Sequence, residues 1–158
     1  MNTYRTAIIG CGRMAHGHAK AYQEAGIPLV AVADISEEAL TRFRDQFGQW
    51  QMYTDYRQML DEVRPDIISV VTHDQLHCPM VVDAAECGVQ GIVREKPMAM
   101  TLEEADRMLM ASIRYPADHQ PSTLLYAAVC SSAGTSLIGC GWHCTFSRSL
   151  SFAGLHSH

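Results

Sequence analysis

The chain has 158 residues, 47% of them apolar and 18% charged, with a formal net charge of −5. That length allows one domain or at most two small ones, and the apolar share excludes wholesale disorder. An acidic balance without a basic stripe argues against a nucleic-acid surface, and no run approaches the ~18 apolar residues of a membrane span.

At the N-terminus only Ala7-Ile8-Ile9 precedes Gly10, too short for a signal-peptide core. A cytoplasmic chain with six reduced cysteines is therefore expected. Arg5–Gly10 is a short apolar run ending in glycine, a strand that stops at a turn. From Arg13 to Ala25, Met14, Ala21, Tyr22 and Ala25 form a helical stripe shared by His18, closed by Gly26. Leu29–Ala33 is a continuous apolar run, as in a strand covered on both faces. Ser36 can cap a helix that has Glu37 and Glu38 in its first turn and buries Ala39, Leu40, Phe43 and Phe47 before Gly48.

Gln51-Met52-Tyr53 reads as a weak third strand. Tyr56, Met59, Leu60 and Val63 share one side of a third helix. Ile67–Val71 is another buried strand, and Cys78, Val81, Val82 and Ala85 stripe a helix ending before Gly88. Gly91-Ile92-Val93 is a fifth strand, and Thr101 with Glu104 forms a capping box for a last helix through Leu109. Strands alternating with helices predict an α/β chain, a doubly wound parallel sheet of Rossmann type with strand order 3-2-1-4-5. Such a sheet binds ligands beyond the C-terminal strand ends, at its switch point.

The composition steps near Ala111. Residues 112–158 hold three of the chain's 29 charges (Arg114, Asp118 and Arg148) but nine Ser, four His and three Cys. The expected organisation is a dinucleotide-binding domain over 1–111 and an atypical, poorly ordered tail over 112–158. One extra strand near 123–130 is expected within that tail.

Gly10-Cys11-Gly12-Arg13-Met14-Ala15 fits G-x-G-x-x-A, directly after a strand and opening a helix, which is the context the motif requires. Gly10 permits the sharp turn, Gly12 admits a pyrophosphate to the backbone, and Ala15 allows close packing. The helix N-terminus then presents N–H groups and a positive dipole to the phosphates. Asp34 ends the second strand, where a ribose-binding acid belongs, and its charge would repel a 2′-phosphate. With no Arg beside it, NAD is expected over NADP. An ordinary tight turn and an ordinary turn aspartate are the plain alternatives for these two features.

In order along the chain stand Gly10–Ala15 with His18, Asp34 after strand two, Thr72 with His77 after strand four, and Glu95-Lys96-Pro97 after strand five. This series resembles the N-terminal half of the glucose–fructose oxidoreductase/inositol dehydrogenase (Gfo/Idh/MocA) family over about residues 4–111. The resemblance implies that Thr72, His77, Glu95, Lys96 and Pro97 lie along the cofactor. It also implies that Lys96 stands near the nicotinamide and substrate as a catalytic group, and that the Lys96–Pro97 bond is often cis. The residues themselves say less. A cation at a strand end can stabilise charge developing on a substrate oxygen, and it can equally be a solvated surface lysine.

His18, on an apolar helix face, reads as a packing histidine. His73 and His77 at i, i+4 can chelate a metal, or simply sit in a loop entering a helix cap. Cys130, Cys140, His143 and Cys144 offer zinc ligand types without a C-x-x-C pair.

Family members continue into a second domain that supplies substrate contacts and an oligomer interface, and no such motif follows Ala111. A truncated or frame-shifted product is therefore expected, inactive on its own. The resemblance implies hydride transfer with a polyol, sugar or related secondary alcohol. The alternatives are a non-catalytic NAD-binding module or pseudo-enzyme, and a metal-binding interaction domain built on the tail.

Overall fold

The computed structural model describes residues 4–114 and the strand at 123–126. Six strands alternate with five α-helices. In chain order they are β1 (Thr6–Ile9), α1 (Arg13–Glu24), β2 (Leu29–Ala33), α2 (Glu37–Phe47), β3 (Gln51–Tyr53) and α3 (Tyr56–Val63). Then follow β4 (Ile67–Val70), α4 (His77–Glu86), β5 (Gly91–Arg94), α5 (Leu102–Arg114) and β6 (Thr123–Tyr126). A single 3-10 turn, Asp74–Leu76, leads into α4. Every strand pair is parallel, and the order is β3-β2-β1-β4-β5-β6. The doubly wound sheet of order 3-2-1-4-5 is present, with β6 added beside β5.

The alternation of side chains along each strand splits the core in two. Ala7 and Ile9 of β1 point to the layer built by α3, α4 and α5, with Met59, Leu60, Val81 and Met108. Ile8 and Val32 point to the layer built by α1 and α2, with Ala15, Ala19, Leu40 and Phe43. Burying one Ile, Leu or Phe side chain of this kind stabilises the fold by roughly 1.5–3 kcal/mol relative to exposure.

The helix ends follow the sequence with two adjustments. Ser36 caps α2 by accepting from the Ala39 N–H, and Asp55 caps α3 by accepting from the Arg57 N–H. Thr101 accepts from the Glu104 N–H as expected, but the Glu104 carboxylate reaches the Met100 N–H, one residue before the cap. The last helix runs on to Arg114, past the compositional step, because Ala111 and Ser112 are buried. Strand β6, Thr123–Tyr126, pairs in parallel with Gly91–Arg94. The remainder of the tail, including Cys130, Cys140, His143 and Cys144, lies outside the described residues. Among the described residues, no helix is long and apolar enough to cross a membrane.

Candidate functional site

Strand register sets the place of the site. Ile9 pairs with Ala33 and with Val70, and Val70 pairs with Arg94. The four central strands therefore finish level, and the next residues of each (Gly10, Asp34, Val71 and Glu95) emerge together. Backbone bonds carry the sheet one step further: Gly10 N–H to Ala33 O at 2.7 Å, Val71 N–H to Ile9 O at 2.8 Å, and Glu95 N–H to Val70 O at 3.2 Å. The strand order reverses at β1, between β2 and β4, and the glycine loop leaves from that point.

The two glycines of the loop are required by different things. Gly10 has φ +94°, and a Cβ there would lie 2.2 Å from the Val71 carbonyl oxygen, so the fold itself demands glycine. Gly12 has φ −74°, and a Cβ there would meet nothing within 4 Å. Neither conformation nor packing requires glycine at 12, which leaves clearance for an external group against the backbone. Gly12 caps α1 with no side-chain hydrogen bond, and the first turn carries no acidic residue. The positive end of α1 thus faces the open loop.

Asp34 braces this loop. Its Oδ2 accepts from the Cys11 N–H at 2.8 Å and its Oδ1 from the Ser36 N–H at 2.9 Å. An ionised carboxylate offers about four acceptor positions, so both oxygens keep lone pairs for a diol. Burial, and then the neighbouring Asp34 charge, push the Cys11 thiol up to about 12, so the loop carries no thiolate that would repel a phosphate. The donor-rich loop, the clearance at Gly12 and the acceptor at Asp34 fit a dinucleotide.

On the other side of β1, a buried polar chain crosses the layer. The hydroxyls of Tyr22 and Ser69 are 2.7 Å apart, His18 Nδ1 is 3.0 Å from Ser69 Oγ, and His18 Nε2 is 3.0 Å from Glu95 Oε1. His18 is 2% exposed and Glu95 5%. His18 is therefore the satisfied packing histidine that its helix face suggested. It also fixes the acid of Glu95-Lys96-Pro97. Ser69 was visible as a lone polar residue inside Ile67–Val71, but its partners were not.

His77 lies wholly buried at the start of α4. Its Nδ1 is 3.2 Å from Pro97 O and its Nε2 3.2 Å from Thr72 O. Whichever nitrogen holds the proton donates to one of these carbonyls, and the buried ring packs between the loops after β4 and β5. The Thr72 hydroxyl donates to Met80 Sδ at 3.4 Å. His73 is exposed and apart from that arrangement. Among the described residues there is no group of three or more His, Cys, Asp or Glu placed to hold a metal.

Lys96 and Pro97 are exposed at the strand ends, joined by a cis peptide bond. Arg94, one residue past the expected Gly91-Ile92-Val93 strand, closes β5; it is 1% exposed and donates from Nη1 to Pro97 O at 3.1 Å.

The family model described as "Oxidoreductase family, NAD-binding Rossmann fold" matches residues 4–116. The chain belongs to the Gfo/Idh/MocA oxidoreductase family. It is 33% identical over 112 residues to the D-apiose dehydrogenase of Paraburkholderia graminis, covering 70% of this chain and 30% of that protein. It is 32% identical over 103 residues to the NAD(+)-dependent scyllo-inositol 2-dehydrogenase of Bacillus subtilis, covering 64% of this chain and 30% of that protein. Among solved structures it resembles the WlbA dehydrogenase of Bordetella pertussis, crystallised with NADH and UDP-GlcNAcA. That match has 28% identity and a TM-score of 0.65, covering 70% of this chain and 34% of that one. The chain thus spans about 30% of the length of the curated relatives it matches. Glu95-Lys96-Pro97 stands just past the end of β5, two strands from β1 and its glycine loop.

Proposed function

We propose that this chain is the NAD-binding part of an oxidoreductase acting on a polyol, sugar or related secondary alcohol. The observation that carries the reading is the unfilled space at Gly12 beside an uncapped helix N-terminus and the Asp34 carboxylate. Gly10, Cys11, Gly12, Arg13 and Met14 supply the loop against which a pyrophosphate rests. Asp34 accepts from the ribose hydroxyls while it holds Cys11, and its charge selects NAD over NADP. Thr72 and Pro97 flank the nicotinamide end, with the buried His77 ring between their backbone carbonyls. When bound, the nicotinamide supplies the hydride acceptor or donor.

Lys96 Nζ would donate to the substrate oxygen and stabilise the negative charge left on it when the hydroxyl proton departs to solvent. Lys96 is the catalytic residue of this reading. The relatives named above, a D-apiose dehydrogenase and a scyllo-inositol dehydrogenase, support the substrate class.

Titration with NADH, followed by fluorescence, tests the reading: saturable binding lost in Gly12→Val is expected, and no binding by the folded chain overturns it. Reduction of NAD followed at 340 nm with polyols and sugars separates an enzyme from a binding module without turnover.

A further inference from the structure

Lys96 has a buried cation one residue before the acid that precedes it. The Arg94 side chain lies at the end of β5 and is among the largest fully buried side chains in the described fold. Placing a guanidinium there is costly unless it is hydrogen-bonded. Its Nη1 donates to Pro97 O at 3.1 Å and, more weakly, to Glu95 O at 3.4 Å. Those two carbonyls flank Lys96 on either side. Pro97 O is also the carbonyl beside His77 Nδ1. Arg94 therefore keeps that oxygen satisfied whichever tautomer His77 adopts. On the N-terminal side of Lys96, the Glu95 side chain is held by His18. The turn carrying Lys96 is gripped on both flanks, while Lys96 itself is exposed.

We propose that Arg94 is a positioning residue for Lys96: its guanidinium, with His77, fixes the backbone on either side of Lys96 and so sets where the ammonium stands. The proposal rests on the reading of Lys96 as the substrate-facing cation. A surface lysine on an ungripped turn would sample many rotamers, and catalysis needs the donor held near one geometry. Arginine suits the task because one planar group can donate to more than one carbonyl at once.

The chain has two lysines, Lys20 and Lys96, which makes the test direct. Lys20 sits on α1 with its side chain 71% exposed, beside Glu24. Reductive ¹³C-methylation of the full chain gives a separate dimethyl-lysine signal for each. In the parent without NADH, the Lys96 signal is expected to be displaced from that of free methylated lysine and broader than that of Lys20. In Arg94→Leu it should move at least halfway to the free value and sharpen, with Lys20 unmoved. Arg94→Lys, which keeps a buried donor, should restore part of the displacement. A role confined to stability would lower the Tm of each variant without moving Lys96 relative to Lys20.

An unchanged Lys96 signal in folded Arg94→Leu overturns the proposal. Should that variant fail to fold, Arg94→Lys and His77→Gln decide on the same signal, and no movement in either overturns it. NADH titration of the parent runs alongside. Failure to bind NADH counts against the proposed function, while the ligand-free Lys96 comparison still decides the positioning role.

Discussion

Asp34 Oδ2 accepts the Cys11 backbone N–H at 2.8 Å, so the acid at the end of β2 holds the glycine loop at the end of β1. A residue read from sequence as a ribose acceptor is thereby also a loop brace, and substituting it tests both roles. Asp34→Ala removes the proposed diol acceptor together with the brace on Cys11 N–H. NAD affinity should fall at least about tenfold, which is ~1.4 kcal/mol, and the preference over NADP should narrow. Calorimetry with both cofactors measures this. Equal or tighter binding of NADP by the parent chain would contradict the assigned selectivity.

The same contact shapes the chemistry of Cys11. Burial raises its thiol from 9.0 to about 12, with the Asp34 charge as the second cause. In the unfolded chain the thiol ionises near its ordinary value, so the folded form holds a proton that the unfolded form has lost. The contribution of this group is complete below pH 9 and disappears as pH rises toward 12. Alkylation by iodoacetamide at pH 8 should leave Cys11 unmodified in the folded chain and modify it in denaturant. Rapid labelling of native Cys11, located by peptide mass, would show that the loop opens.

Much of this site was legible in the residues because its parts are local. The Gly10–Ala15 spacing, the acid at the end of the Leu29–Ala33 run and the glycine-terminated helices each depend on a few neighbours and one period. What stayed hidden was long-range. Ser69 meets His18 across 51 positions and Glu95 meets His18 across 77. No short window shows such a pairing. Arg94 is harder still, since an arginine closing a strand is ordinarily a solvated residue. Helix α5 runs across the compositional step at Ala111 to Arg114, with Ala111 and Ser112 buried.

The His18–Glu95 pair gives a stability prediction. His18→Leu keeps approximate volume but leaves a 5% exposed carboxyl without its partner. Leaving a buried hydrogen-bonding group without its partner costs about 1–3 kcal/mol. Glu95→Gln retains an oxygen acceptor for His18 and should cost less than half of that. Urea unfolding of both variants, at matched slope, makes the comparison. A His18→Leu cost below about 1 kcal/mol would mean that the pair is solvated in solution.

Gly10 and Gly12 lie two residues apart in one motif, and the structure assigns them opposite phenotypes. Alanine at 10 places a Cβ 2.2 Å from a backbone oxygen and forces a side chain onto φ +94°. The obstructing atom is main chain at the sheet switch point, so it cannot swing aside, and the clash must be relieved by moving β4 or the loop. A loss of more than about 2 kcal/mol is expected, lowering Tm by about 10 °C for a domain of this size. Alanine at 12 meets nothing within 4 Å and sits at φ −74°, which any residue adopts. Its Tm should stay within about 3 °C of the parent, yet the methyl occupies the space left for the pyrophosphate, and NADH affinity should fall about tenfold or more. Circular dichroism melts and NADH fluorescence on the same two preparations read the contrast. If Gly12→Ala binds NADH like the parent, the clearance at Gly12 is not where the phosphates rest, and the cofactor assignment built on it fails.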